Sequence, residues 1–303
     1  MDQRTLVEKA DIAVANLVAD GGYLNTEQSS AFIRKLIESP TILKLVRTIR
    51  MGSPRREIDK IGFANRILRP AVSGVPLAAD QRAKPDLEKL TMTTSEIIAE
   101  VNVPYDVLED NIEKAGLEDT IMAMIVERAA TDLEELLIQG DTDSADSYLA
   151  LFDGILKKIA THTVNFGDAA ISKTLFKNAI LEMPNKYLRR RDLMSHWLAP
   201  DQLTSYRDTL SNRMTILGDK HVETWSPVFG QGVPVKEAAL MPATQGFFTF
   251  PQNLVFGIQR QIQIETDKDI RARVIIIVLT LRCAFAIETE EACVKFTNIG
   301  EAS

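Results

Sequence analysis

Residues Leu117, Ile121, Met124, Ile125, Ala129, Leu133, Leu136 and Leu137 recur at three- and four-residue intervals with no Pro or Gly between them. No other feature constrains the fold as much. Glu118, Glu127, Glu134 and Glu135 lie off this stripe and Gly140 supplies a stop, so the spacing predicts a helix over about 117–139. At 1.5 Å per residue it spans about 35 Å. A helix this long serves as a beam in a flat or elongated body as readily as in a bundle.

Upstream, Leu6, Ala10, Ala13, Val14, Leu17 and Val18 predict a helix that stops at Gly21-Gly22. A second starts near Thr26, with Phe32, Ile33, Leu36 and Ile37 on one face, and breaks at Ser39-Pro40. From Lys44 to Arg69 the chain is basic and patterned as an extended segment. Residues Pro70 to Pro85 are rich in Pro, Gly, Ala and charge and read as a long loop, and Leu90 to Val103 alternates with strand chemistry. Two strands joined by a long polar excursion predict a projecting hairpin, and loops of this length usually touch a partner.

Residues 150 to 250 read as mixed: a helix through Lys173–Glu182, a strand at Leu193–Leu198, a helix from Pro200 through Leu210, and short strands around Gly230, Gly232 and Gly246. The end, Asn253 to Ile299, is strand-rich, with the apolar run Val274–Leu281 and a last strand at Ala292–Ile299. The fold class is α+β.

The 303 residues carry a formal charge of −7, which does not favour generic adhesion to nucleic acid or to an anionic membrane. Two cysteines, Cys283 and Cys293, are too few for a disulfide framework and fit buried thiols in a reducing compartment. No apolar leader follows Met1-Asp2-Gln3-Arg4, and Val274–Leu281 is too short to span a bilayer. A soluble protein kept in a cytoplasm is expected.

The sequence nominates no catalytic, cofactor-binding or metal residue. His162, His196 and His221 stand apart, without ligand partners at metal spacing, and His196 sits in an apolar strand as an interior imidazole. Asp141, Asp143 and Asp146 resemble half of a calcium loop but lack its Gly and its closing Glu. No phosphate-cradling loop or nucleophile elbow is present. Arg189-Arg190-Arg191 reads as a solvated or subunit-contact patch, since only Tyr187 is near it as a stacking platform.

Several pieces, in order, carry a family resemblance: Leu108-Glu109-Asp110 before the long helix, Gly140-Asp141 at its end, Gly154-Ile155-Leu156, and Asn253-Leu254-Val255-Phe256-Gly257-Ile258 leading to Ile264-Glu265-Thr266-Asp267-Lys268-Asp269. With them the chain resembles, over nearly its whole length, the major capsid protein of tailed double-stranded DNA bacteriophages, the Hong Kong 97-type fold. The resemblance implies an N-terminal arm (1–53) and an extended E-loop (54–103). It also implies a peripheral domain (104–150 with 258–303) holding the spine helix at about 117–139, and an axial domain (151–257). It implies a structural subunit and no enzyme, assembling as hexamers and pentamers into an icosahedral virion shell in the bacterial host cytoplasm.

The partners so implied are other copies of the chain, a separate scaffolding protein, a portal protein and a decoration protein. Packaged DNA is met only through weak non-specific contact, with no membrane and no cofactor. The founding member joins its subunits by a Lys–Asn isopeptide bond beside a Glu. Residues Arg271–Leu281 offer neither Asn nor Glu, so no covalent cross-linking is expected. An encapsulin-type nanocompartment shell is the nearest rival, since fold alone does not decide function. A metal-dependent hydrolase built on Asp141, Asp143 and Asp146 is a remote one.

Overall fold

Val274–Ile287 forms the longest strand, β12, and most of the molecule is organised around it. The structure is a computed structural model that describes residues 41–63, 66–70, 74, 76–78, 81–105, 117–211, 228–259 and 263–300. Both expected N-terminal helices, Leu108-Glu109-Asp110 and His221 lie outside the described residues. The strands before β12 are β1 (Arg47–Arg50), β2 (Arg55–Gly62), β3 (Asp86–Thr93), β4 (Ser95–Pro104), β5 (Thr163–Ala169), β6 (Ser195–Leu198), β7 (Phe229–Gly230), β8 (Val233–Glu237), β9 (Gly246–Thr249), β10 (Leu254–Ile258) and β11 (Gln263–Asp269), and β13 (Val294–Ile299) follows it. The helices are α1 (Leu117–Gln139), α2 (Ile155–Lys158), α3 (Lys173–Glu182) and α4 (Pro200–Ser211).

In the first sheet β4 runs antiparallel along one side of β12, from Val274↔Pro104 to Cys283↔Ser95. On the other side β11 covers Val274 to Thr280, β10 then takes over against Cys283 to Ile287, and β1 adds to β10 in parallel. Side chains alternate across a strand. Ile277, Leu279, Leu281 and Cys283 therefore share one face, and they bury against Val126, Ala130, Leu133, Leu136 and Leu137 of α1. The expected helix has the expected bounds, and it packs on strands some 150 residues away in sequence.

Two positions on the helix differ from the amphipathic reading. Met124 is exposed, although its neighbours Ile121 and Ile125 on the stripe pack against the main core. Glu134, expected off the stripe, is buried, because its carboxylate accepts the backbone N–H groups of Thr41 (3.1 Å) and Ile42 (2.6 Å). This pins the chain entering β1 to the helix, beside the buried Ile42 and Leu43.

The expected strand Leu90–Val103 is two strands. Thr94 interrupts it, donating its N–H to Pro54 and its hydroxyl to Gln259 at 2.8 Å. The break is required because β3 pairs with β2 in a separate two-stranded ribbon whereas β4 pairs with β12. The ribbon is fastened at its base, where Met51 and Met92 bury over Val255, Gly257, Ala284 and Ala286. A Cβ on Gly257 would lie 2.6 Å from the Met51 sulfur, so the methionines settle directly on the glycine backbone and would have to shift for any larger residue.

The second sheet has the order β5-β13-β9-β6-β8-β7, with α3 and α4 packed on it through Leu175, Phe176, Leu203 and Tyr206. The expected strand at Leu193 begins instead at Ser195, since Leu188–Leu193 winds into a 3-10 turn. Trp197 and Phe247 of this sheet contact the core under α1, which joins the two halves. At that junction Gly140 and Gly154 bring their backbones together, with the Gly154 N–H donating to the Gly140 carbonyl at 2.8 Å. Cys283 and Cys293 are both buried and unbridged, as expected. Burial pushes both thiols up to about 12.

Candidate assembly surface

The polar groups singled out in the sequence are held by local partners. Lys157 places its ammonium 2.9 Å from Asp141 and 2.8 Å from Asp143, so a protein cation occupies the position a metal would take. Its hydrogen bond is the main cause holding the Asp141 carboxyl below its ordinary value. Asp146 instead accepts the N–H of Tyr148 at 2.9 Å. Among the described residues no three His, Cys, Asp or Glu side chains converge as a metal ion requires. His162 meets Glu182 at 3.4 Å. In the arginine cluster, Arg191 donates to the Gln231 carbonyl, while Arg189 and Arg190 are exposed.

His196 is fully buried on β6, stacked on Phe248 at 4.4 Å between ring centroids and edge-on to Phe176 at 4.8 Å. Neither ring nitrogen reaches hydrogen-bonding geometry, although the backbone of Gly230 offsets a little of the burial cost. Burial thus lowers its pKa from 6.5 to about 3. The neutral ring belongs to the folded state while the unfolded chain takes up a proton below pH 6.5. The stabilisation is complete above pH 6.5 and is lost as pH falls towards 3, at up to about 1.4 kcal/mol per unit. Denaturant midpoints measured from pH 7 to pH 4 should fall for the wild type and stay flatter for His196→Phe. Parallel curves would show that this imidazole is not the acid-sensitive group.

Among the described residues, exposed large apolar side chains are most frequent between residues 61 and 87. Glu57 joins Lys89 at 3.1 Å and Arg55 at 3.2 Å on one face of β2 and β3, and this ionic row ends at the cross-strand pair Ile61↔Leu87. Ile61 is 72% and Leu87 68% exposed, and Phe63, Ile67, Leu68 and Leu77 beyond them are exposed as well. An apolar group of this size left in water at the end of a projecting element marks a contact surface. Sequence reading saw the segment Lys44–Arg69 chiefly as basic and missed these apolar residues. Ile61, Phe63, Ile67 and Leu68 were the available signal, but the exposure of Ile61 depends on the register with β3.

Comparison with known proteins gives the family on two grounds and the fold on a third. The Phage capsid family matches residues 21–298. A candidate prophage capsid protein, YqbE of Bacillus subtilis (strain 168), is 42% identical over 314 residues, covering 99% of this chain and 100% of that one. A chain of the satellite phage P4 procapsid, solved with a size determination (Sid) protein, superposes with a TM-score of 0.68 at 14% identity, covering 100% of both chains. The native GTA particle capsid gives 0.61 at 14% identity, covering 87% of this chain and 91% of that one. A virus-like particle from Pyrococcus furiosus gives 0.53 at 10% identity, covering 88% and 96%. At such identities the structures speak for the fold, whereas the family match and the full-length relative speak for descent. The chain belongs to the phage capsid family, as a structural subunit of the virion shell.

Proposed function

We propose that this subunit assembles as hexamers and pentamers into the icosahedral head that encloses a double-stranded DNA genome, in the host cytoplasm and around a portal. The observation that carries the reading is the exposed pair Ile61 and Leu87 at the end of a ribbon fastened to the body at its base. In a shell, that pair and the apolar residues beyond it are covered by neighbouring subunits. On this reading residues 1–53 form an arm, 54–103 an extended loop, 104–150 with 258–303 a peripheral domain around α1, and 151–257 an axial domain. Assembly draws on a separate scaffolding protein, a decoration protein is an optional addition, and DNA is held by weak non-specific contact.

Light-scattering mass of the purified full-length chain, with negative-stain images of the same fraction, tests this directly. Closed particles or rings of five and six are expected, running in denaturing gels as one uncross-linked band. A stable monomer or dimer, persisting after coexpression with its scaffolding partner, would overturn the proposal. Particles filled with a cargo enzyme in place of DNA would favour a nanocompartment.

A further inference from the structure

Between Lys173 and Arg191 the chain carries the cations Lys173, Lys177, Lys186, Arg189, Arg190 and Arg191 against one carboxylate, Glu182, in a protein whose net charge is −7. Two of these cations have partners within the subunit: Lys186 pairs with Glu291, and Arg191 donates to the Gln231 carbonyl. Glu182 is engaged by His162. Lys173, Lys177, Arg189 and Arg190 remain, all exposed and without a carboxylate partner among the described residues. Asp192, next in the chain, is exposed and pairs with none of them. The acidic row of β11, with Glu265 facing Glu100 across Val278, belongs to the first sheet and does not meet these cations either.

The four lie on two elements that the fold ties together. Lys173 and Lys177 stand one turn apart on the side of α3 opposite Leu175, Phe176 and Ala179, which are buried on the second sheet. Thr174 and Asn178 are exposed beside them, and Leu181, 71% exposed, ends the stripe. The Phe176 ring sits directly on the backbone of Gly230, and the next residue, Gln231, receives Arg191. The β7–β8 turn thus joins α3 to the 3-10 turn that carries Arg189 and Arg190.

The composition of this surface selects among anionic partners. A protein interface has an apolar and aromatic centre, and the stripe offers Leu181 alone. Lys and Arg interspersed with Thr and Asn are the groups that contact phosphate oxygens along a duplex. Four helical residues rise about 6 Å, close to two phosphate steps of about 3.4 Å each along one DNA strand. No stacking platform is needed for such contacts, since the bases of a duplex stay paired.

We infer that Lys173, Lys177, Arg189 and Arg190 form the surface on which the phosphate backbone of packaged double-stranded DNA rests. The contact is local and sequence-independent, and the chain's overall acidity keeps it weak and salt-sensitive. The inference rests on the shell reading and names the DNA-contacting residues within it.

Fluorescence anisotropy of a labelled mixed-sequence duplex, titrated with the full-length subunit at several salt concentrations, tests the assignment. With four phosphates neutralised, the logarithm of the affinity should fall against the logarithm of salt with a slope of about −3.6. Lys173→Gln with Lys177→Gln, and separately Arg189→Gln with Arg190→Gln, should each bring the slope to about −1.8. All four changes together should abolish measurable binding. The control, Arg55→Gln with Lys89→Gln, removes cations already paired with Glu57 and should bind as the wild type does. Thermal midpoints should be unchanged throughout, because every altered side chain is exposed. A wild-type subunit that ignores DNA at low salt, or a fourfold variant that binds it undiminished, would overturn the assignment. Poly-glutamate bound as tightly as the duplex would overturn it too, in favour of an acidic protein partner. Either result alongside normal wild-type particles in light scattering would leave the shell standing, whereas absence of particles would strike the shell reading itself.

Discussion

Replacing Gly154 by Ala is expected to cost the folded subunit about 3 kcal/mol or more. A Cβ built there lies 2.7 Å from the Leu137 carbonyl oxygen, 2.8 Å from the Gly140 nitrogen and 2.9 Å from the Leu136 oxygen. All three are backbone atoms, so no rotamer change makes room. Relief requires moving either the end of α1 or the start of α2, and Leu136, Leu137 and Ile155 at those positions are each wholly buried. Gly140 is hemmed in from the other side, with the Leu136 oxygen 2.6 Å from its virtual Cβ. The measurement is the thermal midpoint of the unassembled subunit, expected to drop by roughly 6 °C at about 2 °C per kcal/mol for a chain this long. Gly52→Ala is the control, because nothing lies within 4 Å of its Cβ position. Equal midpoints for the two variants would mean that the glycine contact is not what locks the helix to the second half.

Those two glycines show what was legible in the sequence. Gly140-Asp141 and Gly154-Ile155-Leu156 stood out as family pieces, yet no spacing rule says that two glycines fourteen positions apart must touch. That fact belongs to the packing of α2 on α1. The extent of helix α1 was readable, since an uninterrupted stripe over six turns is a local signal. Glu134 was misread because a carboxylate at a polar position gives no hint that two backbone amides from residues 41 and 42 will need it. The break at Thr94 is marked by a change of phase, the inward residues being Leu90 and Met92 before it and Ile97, Ala99, Val101 and Val103 after it, but neither phase says which strand becomes the partner.

The candidate surface was legible in part for the same reason. The projecting hairpin followed from two strand-like segments and the long excursion between them. Glu265, Asp267 and Asp269 alternate visibly, and so do Glu96 and Glu100, but their meeting on one face around Val278 is a consequence of a ten-residue register with β12. Charge alternation within a strand is local, and which two strands become neighbours is not.

Substituting Ile61 and Leu87 together by Asp is expected to abolish closed particles while leaving a folded, soluble subunit. The two face each other across the ribbon and stand 72% and 68% exposed, so the free subunit loses little beyond one cross-strand apolar pair, about 0.2–1 kcal/mol. In a shell the balance reverses. Covering each of these side chains contributes about 1.5–3 kcal/mol per contact, and a buried carboxylate without a partner costs several kcal/mol. Because every subunit carries the pair, the loss recurs at every ribbon contact and small deficits multiply over the closed particle. Ser at both positions should give an intermediate yield, since it removes the apolar gain without adding charge. Sedimentation of assembly reactions, read beside the circular dichroism of the free subunit, separates the outcomes. Wild-type yield from the Asp variant would show that the ribbon's end stays in solvent and that the shell is held elsewhere. An unfolded Asp variant would place the pair in the subunit's own stability, against its exposure in the structure.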